Sequence, residues 1–459
     1  MNPYGELRQQ VEALAERWNV PGVAAVVDLA GETHWACRGV THVAHPLPVD
    51  EHTLFQVASN TKPFAATLVM ALVEEGRLSL DDPVRRHLSD FVTPDHKFDD
   101  VVTLRQLLSH RVGWDGDALF VRPPAGGTLA AAPAAMAQAR QLVAPGSHFT
   151  YSNASYSVAG RLVEVLEGEP FSACLAGRIL EPLAMERSST RADKAIFHRV
   201  AMRHLAVPGR DPIPLAGGGW QQDWEIGASD EPAAGLISSA HDLLQWLRFW
   251  LGRAEDAPAP PISAESRAAM LEEQVRYNPR SGQAIGWGIH YGEGARVYSH
   301  PGLTAGYCSF TLFVPELDLA AVILTNSTSG GRLHFELSRW IVNQASGVAS
   351  QDPSPLSPGP DLEPYTGRYW SSFGTIEVRA LEDGRSLELS SERHSTEDGS
   401  WQPPPEGPLR FALYDPHHGL VEHPAHMAGA LIDFDPDGGP QPGWLRVGGR
   451  IAVRESADP

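Results

Sequence analysis

Apolar residues recur with strand-like and helical periods along the first three quarters of the chain. Between two groups of strand-like runs, the pattern is mostly helical. Strands from the two groups can pair into one antiparallel sheet, with the helices packed beside it. The pattern therefore predicts an α+β fold and not an alternating α/β fold. The strand-like runs cover residues 23–30, 33–39, 284–291, 305–314 and 319–325.

A proline-rich stretch separates this part from the rest of the chain. Residues 351–364 read QDPSPLSPGPDLEP and have no strand or helix period, so they predict a linker. The residues after it form short strand-like runs separated by turn signals. We therefore expect a first domain over residues 1–350, and a small C-terminal antiparallel β-barrel, lipocalin-like, over residues 365–459.

The helix predicted after Ser59 carries the first chemical signal. Its apolar face includes Phe64, Leu68 and Leu72. Ser59 and Lys62 lie three residues apart at its start, so the hydroxyl and the amine can share one face. A buried lysine can lose its proton and activate a neighbouring hydroxyl as a nucleophile. A helix cap followed by a solvated lysine would give the same tetrapeptide, so the pair alone leaves both interpretations open.

Charge and cysteine content narrow the classes of partner and compartment. The formal net charge of −20 argues against nucleic acid and anionic membrane surfaces as partners. No apolar run reaches the length of a membrane span, and the N-terminus lacks an apolar secretory core. Cys37, Cys174 and Cys308 are odd in number and widely spaced, which is typical of free thiols in a reducing compartment. We therefore expect a cytoplasmic protein.

Four histidines near the C-terminus form a cluster that could in principle bind a metal ion. No carboxylate or cysteine spacing of a known site type accompanies the cluster, and the prolines and glycine around it predict a loop. The sequence therefore predicts no metal and no cofactor. The four residues are His417, His418, His423 and His426.

Two further short motifs follow the serine–lysine pair. Tyr151-Ser152-Asn153 comes after a Pro-Gly pair, and His300-Pro301-Gly302 precedes the strand predicted from residue 305. With Ser59-Asn60-Thr61-Lys62 they give the order S-x-x-K, Y-x-N, H-x-G. This order resembles the serine β-lactamase and penicillin-binding-protein superfamily. The tyrosine form is similar to its class C β-lactamase, D-aminopeptidase and family VIII esterase branch, and the resemblance spans about residues 10–345.

The resemblance implies a fold and a set of roles. The fold would be an antiparallel five-stranded sheet with flanking helices, plus an all-helical region. Ser59 would be the nucleophile, and Lys62 and Tyr151 would together remove its proton, titrating as a unit. Asn153 would hold Lys62 and an amide of the substrate by hydrogen bonds.

The third motif would supply the oxyanion hole and the substrate preference. The backbone N–H groups of Ser59 and Leu303 would bind the oxyanion, and Gly302, without a side chain, would let substrate lie against the strand edge. His300 stands where the β-lactamases and D,D-peptidases have a lysine. A mostly neutral histidine attracts a substrate carboxylate less than a charged lysine does, which weakens the case for β-lactams.

The sequence thus predicts a serine hydrolase that acts on esters or amides, D-amino-acid peptides among them, through an acyl-enzyme. It predicts weak or no β-lactamase activity. Two alternatives stay open: a β-lactamase or penicillin-binding sensor that acylates without turnover, and a non-catalytic scaffold. The expected partner is a small-molecule or peptide substrate, with no nucleic acid or membrane, and a homo-oligomer is possible. The natural substrate, the role of the C-terminal part and the proton location between Lys62 and Tyr151 stay undetermined at this level.

Overall fold

The structure is a computed structural model. It describes residues 4–117, 127–207, 209–215, 224, 226–254, 260–292, 295–357, 359–393, 407–424, 427–439 and 441–455. The α-helices span Leu7–Arg17, Lys62–Glu74, Leu104–Leu108, Ala132–Ala135, Asn153–Glu167, Phe171–Leu175, Ala192–Ala195, Glu231–Ala234, Ala240–Trp250, Ala264–Leu271 and Gly330–Ser346. A π-helical turn lies at Ala176–Leu180, and short 3₁₀ helices lie at Ala58–Thr61, Val84–Arg86, Leu129–Ala131, Met136–Gln138, Ala228–Asp230, Pro315–Leu317 and Glu363–Tyr365.

Within the described residues, twenty strands fall into one large sheet, one barrel and two small pairs. The large sheet contains β1 (Gly22–Leu29), β2 (Glu32–Gly39), β7 (Val275–Asn278), β8 (Ser281–Gln283), β9 (Gly288–Gly292), β10 (Ala295–Thr304), β11 (Tyr307–Val314) and β12 (Leu319–Thr325). The barrel contains β13 (Gly367–Ser371), β14 (Gly374–Ala380), β15 (Ser386–Arg393), β16 (Leu409–Asp415), β17 (His418–His423), β18 (Leu431–Phe434), β19 (Trp444–Val447) and β20 (Arg450–Arg454). The pairs join β3 (Phe55–Gln56) to β6 (Ile237–Ser238), and β4 (His204–Leu205) to β5 (Ile213–Pro214).

The large sheet brings the two ends of the first part together. Its order is β2-β1-β12-β11-β10-β9-β8-β7, and β1 pairs antiparallel with β12, with Val23 opposite Thr325. Nearly every residue of β1 and β12 is buried, because apolar clusters cover both faces of the sheet. The α+β class is confirmed. The five expected strands correspond to β1, β2, β9, β11 and β12, and three further strands, β7, β8 and β10, extend the sheet to eight.

The strand that carries the third motif was not predicted. Residues 284–291 were expected as one strand, but β9 begins only at Gly288, because the chain turns at Gly286 with a φ of 78°. β10 then runs from Ala295 to Thr304 and includes His300, which was expected to precede a strand. A Pro-Gly pair inside this strand hides its period from the sequence.

The C-terminal barrel is closed by the pairing of its first and last strands, β13 and β20. Aromatic and aliphatic side chains such as Tyr369, Phe411 and Phe434 are buried in it, and closure leaves no open sheet edge. The predicted small antiparallel barrel is confirmed. Within the described residues, no helix combines the length and the apolar character that crossing a bilayer requires.

One buried arginine forms hydrogen bonds between the barrel and the first part of the chain. Arg446 on β19 is only 3% exposed and pairs with Asp433 on the neighbouring strand at 2.9 Å. It also donates to the carbonyl oxygens of Phe149 at 3.1 Å and Tyr277 at 2.7 Å, both outside the barrel. The barrel face that carries β19 and β20 therefore lies against the residues that precede Tyr151.

Candidate active site

Ser59 lies on the 3₁₀ turn Ala58–Thr61, which leads directly into the helix Lys62–Glu74. The Thr61 hydroxyl donates to the carbonyl of Ala58 at 2.7 Å and accepts from the backbone N–H of Leu236 at 3.0 Å. The Asn60 amide donates to the Ser309 hydroxyl on β11 at 2.7 Å. Ala58 adopts a φ of 51°, a left-handed conformation that costs a non-glycine residue about 1 kcal/mol. The side chains of the tetrapeptide hold this strained turn in place.

The amine of Lys62 meets three hydrogen-bonding partners. Lys62 is completely buried, and its Nζ lies 2.7 Å from Asn153 Oδ1, 2.8 Å from the carbonyl oxygen of Ala233 and 3.0 Å from Ser59 Oγ. The amide and carbonyl oxygens can only accept, so they take two N–H groups. A neutral amine then has its lone pair left for the Ser59 hydroxyl. The arrangement fits a base that removes the proton of Ser59.

Burial is the main cause of the low basicity of this amine. It holds the pKa of Lys62 well below the ordinary value of 10.5, and the positive charge of Arg450 acts in the same direction. The carboxylates of Asp117 and Asp230 act against them. Burial also raises the pKa of Asp230 to about 6, so this group is mostly ionised at pH 7.

Tyr151 completes the arrangement from the side of the barrel. Its hydroxyl makes a hydrogen bond with the Ser59 side chain, and its ring centre lies 4.9 Å from Lys62 Nζ. Burial raises the pKa of Tyr151 above its usual value. Burial disfavours charge on both groups, so it favours the neutral amine of Lys62 and the protonated phenol of Tyr151.

Asn153 is the first residue of the helix Asn153–Glu167, whose N-terminus is capped by Ser152 through its hydroxyl and the N–H of Ser155. The Asn153 amide nitrogen donates to Asp117 at 2.6 Å. An ionised carboxylate only accepts, so this bond fixes the amide with its oxygen towards Lys62.

His300 lies on β10 opposite Thr311, buried, with its ring centre 6.3 Å from that of Tyr151. Burial, helped by the charge of Lys62, lowers the pKa of His300 to about 3. Nδ1 lies 2.7 Å from the carbonyl oxygen of Pro301, so Nδ1 carries the proton and Nε2 is left as an acceptor. The third motif therefore contributes no positive charge at neutral pH.

Gly302 is a glycine for a reason that the sequence did not indicate. A Cβ there would lie 2.2 Å from the carbonyl oxygen of Val57 and 2.3 Å from Ser309 Oγ. The missing side chain makes room for the turn that carries Ser59, instead of serving substrate access alone. The next residue, Leu303, is 65% exposed. That its backbone N–H binds the oxyanion stays a prediction.

The structure thus brings Ser59, Lys62, Tyr151 and Asn153 into direct contact and places His300 beside Tyr151. Sequence reasoning missed four further groups around them. His110 stacks on Tyr151 with ring centres 4.4 Å apart, and its Nδ1 accepts from the backbone N–H of Ser152. The others are Asp117, Asp230 and Arg450. No local sequence pattern marks Asp117, Asp230 or Arg450 as part of a site.

The histidine cluster near the C-terminus shows no metal-binding arrangement among the described residues. His418 contacts Asp415, and His426 lies outside the described residues. In the described parts of the chain, the group whose spacing could hold an ion is His148, Asp435 and Asp437. Two of its members are neighbouring loop carboxylates, which commonly cluster without an ion, so the prediction of no metal stays a prediction.

Comparison with known proteins agrees with this geometry. The family model described as Beta-lactamase matches residues 7–346. Penicillin-binding protein 4 of Amycolatopsis lactamdurans is 31% identical over 375 residues, covering 79% of this chain and 96% of that protein.

Solved structures extend the likeness to the C-terminal part. The crystal structure of SurE has a TM-score of 0.74 at 23% identity and covers 99% of both chains, and SurE has also been solved with D-Leu. The D-amino acid amidase of Ochrobactrum anthropi SV3, complexed with D-phenylalanine, has a TM-score of 0.60 at 20% identity. It covers 75% of this chain and 99% of its own. At these identities the two structures show the fold alone.

Proposed function

The chain belongs to the beta-lactamase family, whose members are serine hydrolases, and on that premise we propose that it cleaves esters or amides through an acyl-enzyme on Ser59. The observation that carries the proposal is the buried amine of Lys62. It lies 3.0 Å from the Ser59 hydroxyl, with its other hydrogen bonds directed to two acceptors.

The geometry supports a balanced sequence of proton transfers. Ser59 Oγ attacks the substrate carbonyl while its proton passes to the lone pair of Lys62. As the tetrahedral intermediate collapses, the Tyr151 hydroxyl protonates the leaving alcohol or amine and regains a proton from Lys62. Water then attacks the acyl-enzyme along the same route in reverse, and the acid product leaves with Ser59 restored.

His300 supports a substrate without a required carboxylate at that position. A lysine there would place a positive charge beside the reacting bond, whereas burial lowers the pKa of this histidine to about 3 and leaves it neutral at pH 7. The likeness to folds solved with D-Leu and D-phenylalanine further supports a peptide or amide with a D-residue as substrate.

A substrate panel tests the proposal. The purified chain is offered a p-nitrophenyl ester, a D-alanyl anilide and a β-lactam, and Ser59→Ala is compared with Ser338→Ala, a matched control at an exposed serine. We expect turnover of the ester or the anilide that Ser59→Ala loses and Ser338→Ala keeps. Rapid β-lactam turnover would reverse the substrate ranking. One stoichiometric burst without turnover would favour the sensor, and a fluorophosphonate that never labels Ser59 would favour the scaffold.

Self-assembly stays a prediction. Size-exclusion chromatography with light scattering gives the mass of the particle directly, and a mass of one chain at all concentrations would refute a homo-oligomer.

A further inference from the structure

A hairpin of the barrel reaches the catalytic groups. β19 and β20 are joined by Gly448 and Gly449, with φ values of 57° and 80°, the two-residue turn that suits a twisted hairpin. The carbonyl of Gly449 accepts from the backbone N–H of Tyr151 at 2.9 Å, and the N–H of Ile451 donates to the Thr150 hydroxyl at 3.2 Å. The hairpin is therefore hydrogen-bonded to the segment that carries Tyr151.

Arg450, the first residue after this turn, points at the active site. Its guanidinium bonds to both carboxylate oxygens of Asp117, one of them at 3.2 Å. Its Cζ also lies 4.8 Å from the ring centre of Tyr151. Asp117 is only 2% exposed, so without Arg450 its carboxylate would be buried without its cation.

Asp117 is also linked to Lys62 through hydrogen bonds of the Asn153 side chain. The carboxylate accepts from the Asn153 amide nitrogen at 2.6 Å, and the Asn153 amide oxygen accepts from Lys62 Nζ at 2.7 Å. A continuous series of hydrogen bonds thus leads from Arg450 through Asp117 and Asn153 to Lys62, and from there to Ser59.

We propose that Arg450 of the barrel is a positioning residue for acylation, holding Asp117 so that Asn153 presents its amide oxygen to Lys62. The proposal rests on the proposed function for its catalytic meaning. The barrel is then part of the active site and completes it through one side chain.

The charges around Lys62 give the proposal a measurable consequence. Among the described residues, eight titratable groups face this amine, its partners or Arg450: Tyr151, Tyr156, His110, His300, Asp115, Asp117, Asp230 and Arg450. Burial keeps the two tyrosines protonated and the two histidines neutral at pH 7. The positive charge of Arg450 therefore offsets the effect that the negative charge of Asp117 has on the pKa of Lys62. Removing Arg450 leaves that charge unopposed, which favours the protonated amine.

The small number of lysines in the chain makes the pKa of Lys62 directly measurable. The chain contains only three lysines, Lys62, Lys97 and Lys194, so a protein labelled with [ε-¹³C]lysine gives three signals. The signal of Lys62 is assigned by its loss in Lys62→Met. We expect Arg450→Gln to raise the pKa of Lys62 by about one unit or more, and Asp117→Asn to lower it. The double variant, with both charges removed, should return to within about half a unit of the wild type.

This titration does not depend on turnover. If no substrate is ever hydrolysed, the proposed function fails while the positioning claim is still tested. An unchanged pKa of Lys62 in Arg450→Gln would overturn the proposal, and so would a double variant no closer to the wild type than the single one.

Labelling of Ser59 by a fluorophosphonate separates positioning from structural damage. At pH 7, Arg450→Gln should react more slowly than the wild type, recover at higher pH, and be improved by Arg450→Lys, which keeps the charge. Arg385→Gln is the matched control, because Arg385 makes an exposed barrel ion pair with Glu422 at 3.0 Å. It should react like the wild type. Equal slowing of Arg450→Gln at every pH would contradict the proposal.

Discussion

Replacing Gly302 by alanine tests how closely the third motif packs against the nucleophile turn. The added Cβ would lie 2.2 Å from the carbonyl oxygen of Val57, far below the 3.0 Å under which Cβ atoms essentially never approach other atoms. It would also lie 2.3 Å from Ser309 Oγ. The nearer of these two atoms belongs to the backbone of Val57, two residues before Ser59. Rotation of a flexible side chain therefore cannot relieve this clash.

The magnitude follows from what the methyl group displaces. Overpacking costs about 1–3 kcal/mol. The Ser309 hydroxyl donates to Val57 at 2.6 Å and accepts from Asn60 at 2.7 Å, and losing the two bonds adds about 1 kcal/mol each. Gly302→Ala should therefore lower the free energy of unfolding by about 3–5 kcal/mol.

The assay combines denaturant unfolding with the rate of fluorophosphonate labelling. We expect labelling of Gly302→Ala to fall at least tenfold even under conditions where the variant is folded, because the turn at Ser59 must move. Gly331→Ala is the matched control: no atom lies within 4 Å of the Cβ that it adds at the start of a helix. It should be neutral or slightly stabilising. A Gly302→Ala variant with unfolding free energy within about 1 kcal/mol of the wild type, labelled at its rate, would refute the packing argument.

Three further predictions concern single side chains. Lys62→Arg should reduce acylation about a thousandfold or more at every accessible pH, because a guanidinium does not deprotonate; in the wild type the rate should instead rise with pH, with a midpoint well below 10.5. Stopped-flow measurement of the acylation rate over a series of pH values checks both. If Lys62→Arg changed only the alkaline side of a bell-shaped rate profile and left its acidic side as in the wild type, the assignment of Lys62 as the base would be contradicted. His300→Lys should raise the ratio of β-lactam to ester acylation about tenfold, since it adds the missing charge; competition between the two acyl donors measures it, and an unchanged ratio would disprove the role of charge. Arg446→Met should destabilise the barrel contact by about 3–5 kcal/mol, because it leaves the buried carboxylate of Asp433 unpaired. Limited proteolysis should then cut between the barrel and the rest, and unchanged resistance would count against this contact.

Much of the local chemistry was readable before any coordinates. The helix after Ser59 was predicted from its apolar face, and it begins at Lys62. The order of the three motifs resembles that of the superfamily, and this resemblance implied which side chains meet. The strand-like runs likewise gave the α+β class and the barrel. The strand β10 was missed, since a Pro-Gly pair interrupts its alternation.

Asp117 and Arg450 show what local patterns cannot reveal. They are 333 positions apart, yet they share two hydrogen bonds near the amine of Lys62. Neither has neighbours in the sequence that suggest a site, and an arginine in a barrel turn most often faces solvent. Only the docking of the barrel, through Arg446 and the turn at Gly449, brings the two together.

By itself, the sequence determined that Ser59 and Lys62 lie close together, because the pitch of one helical turn sets the separation of residues three apart. The tertiary structure decided how those groups are charged. Protonation depends on burial and on charges brought from distant parts of the chain, and neither is a property of any short segment. The lowered pKa of Lys62, the neutral ring of His300 and the position of Arg450 beside Asp117 all follow from that packing.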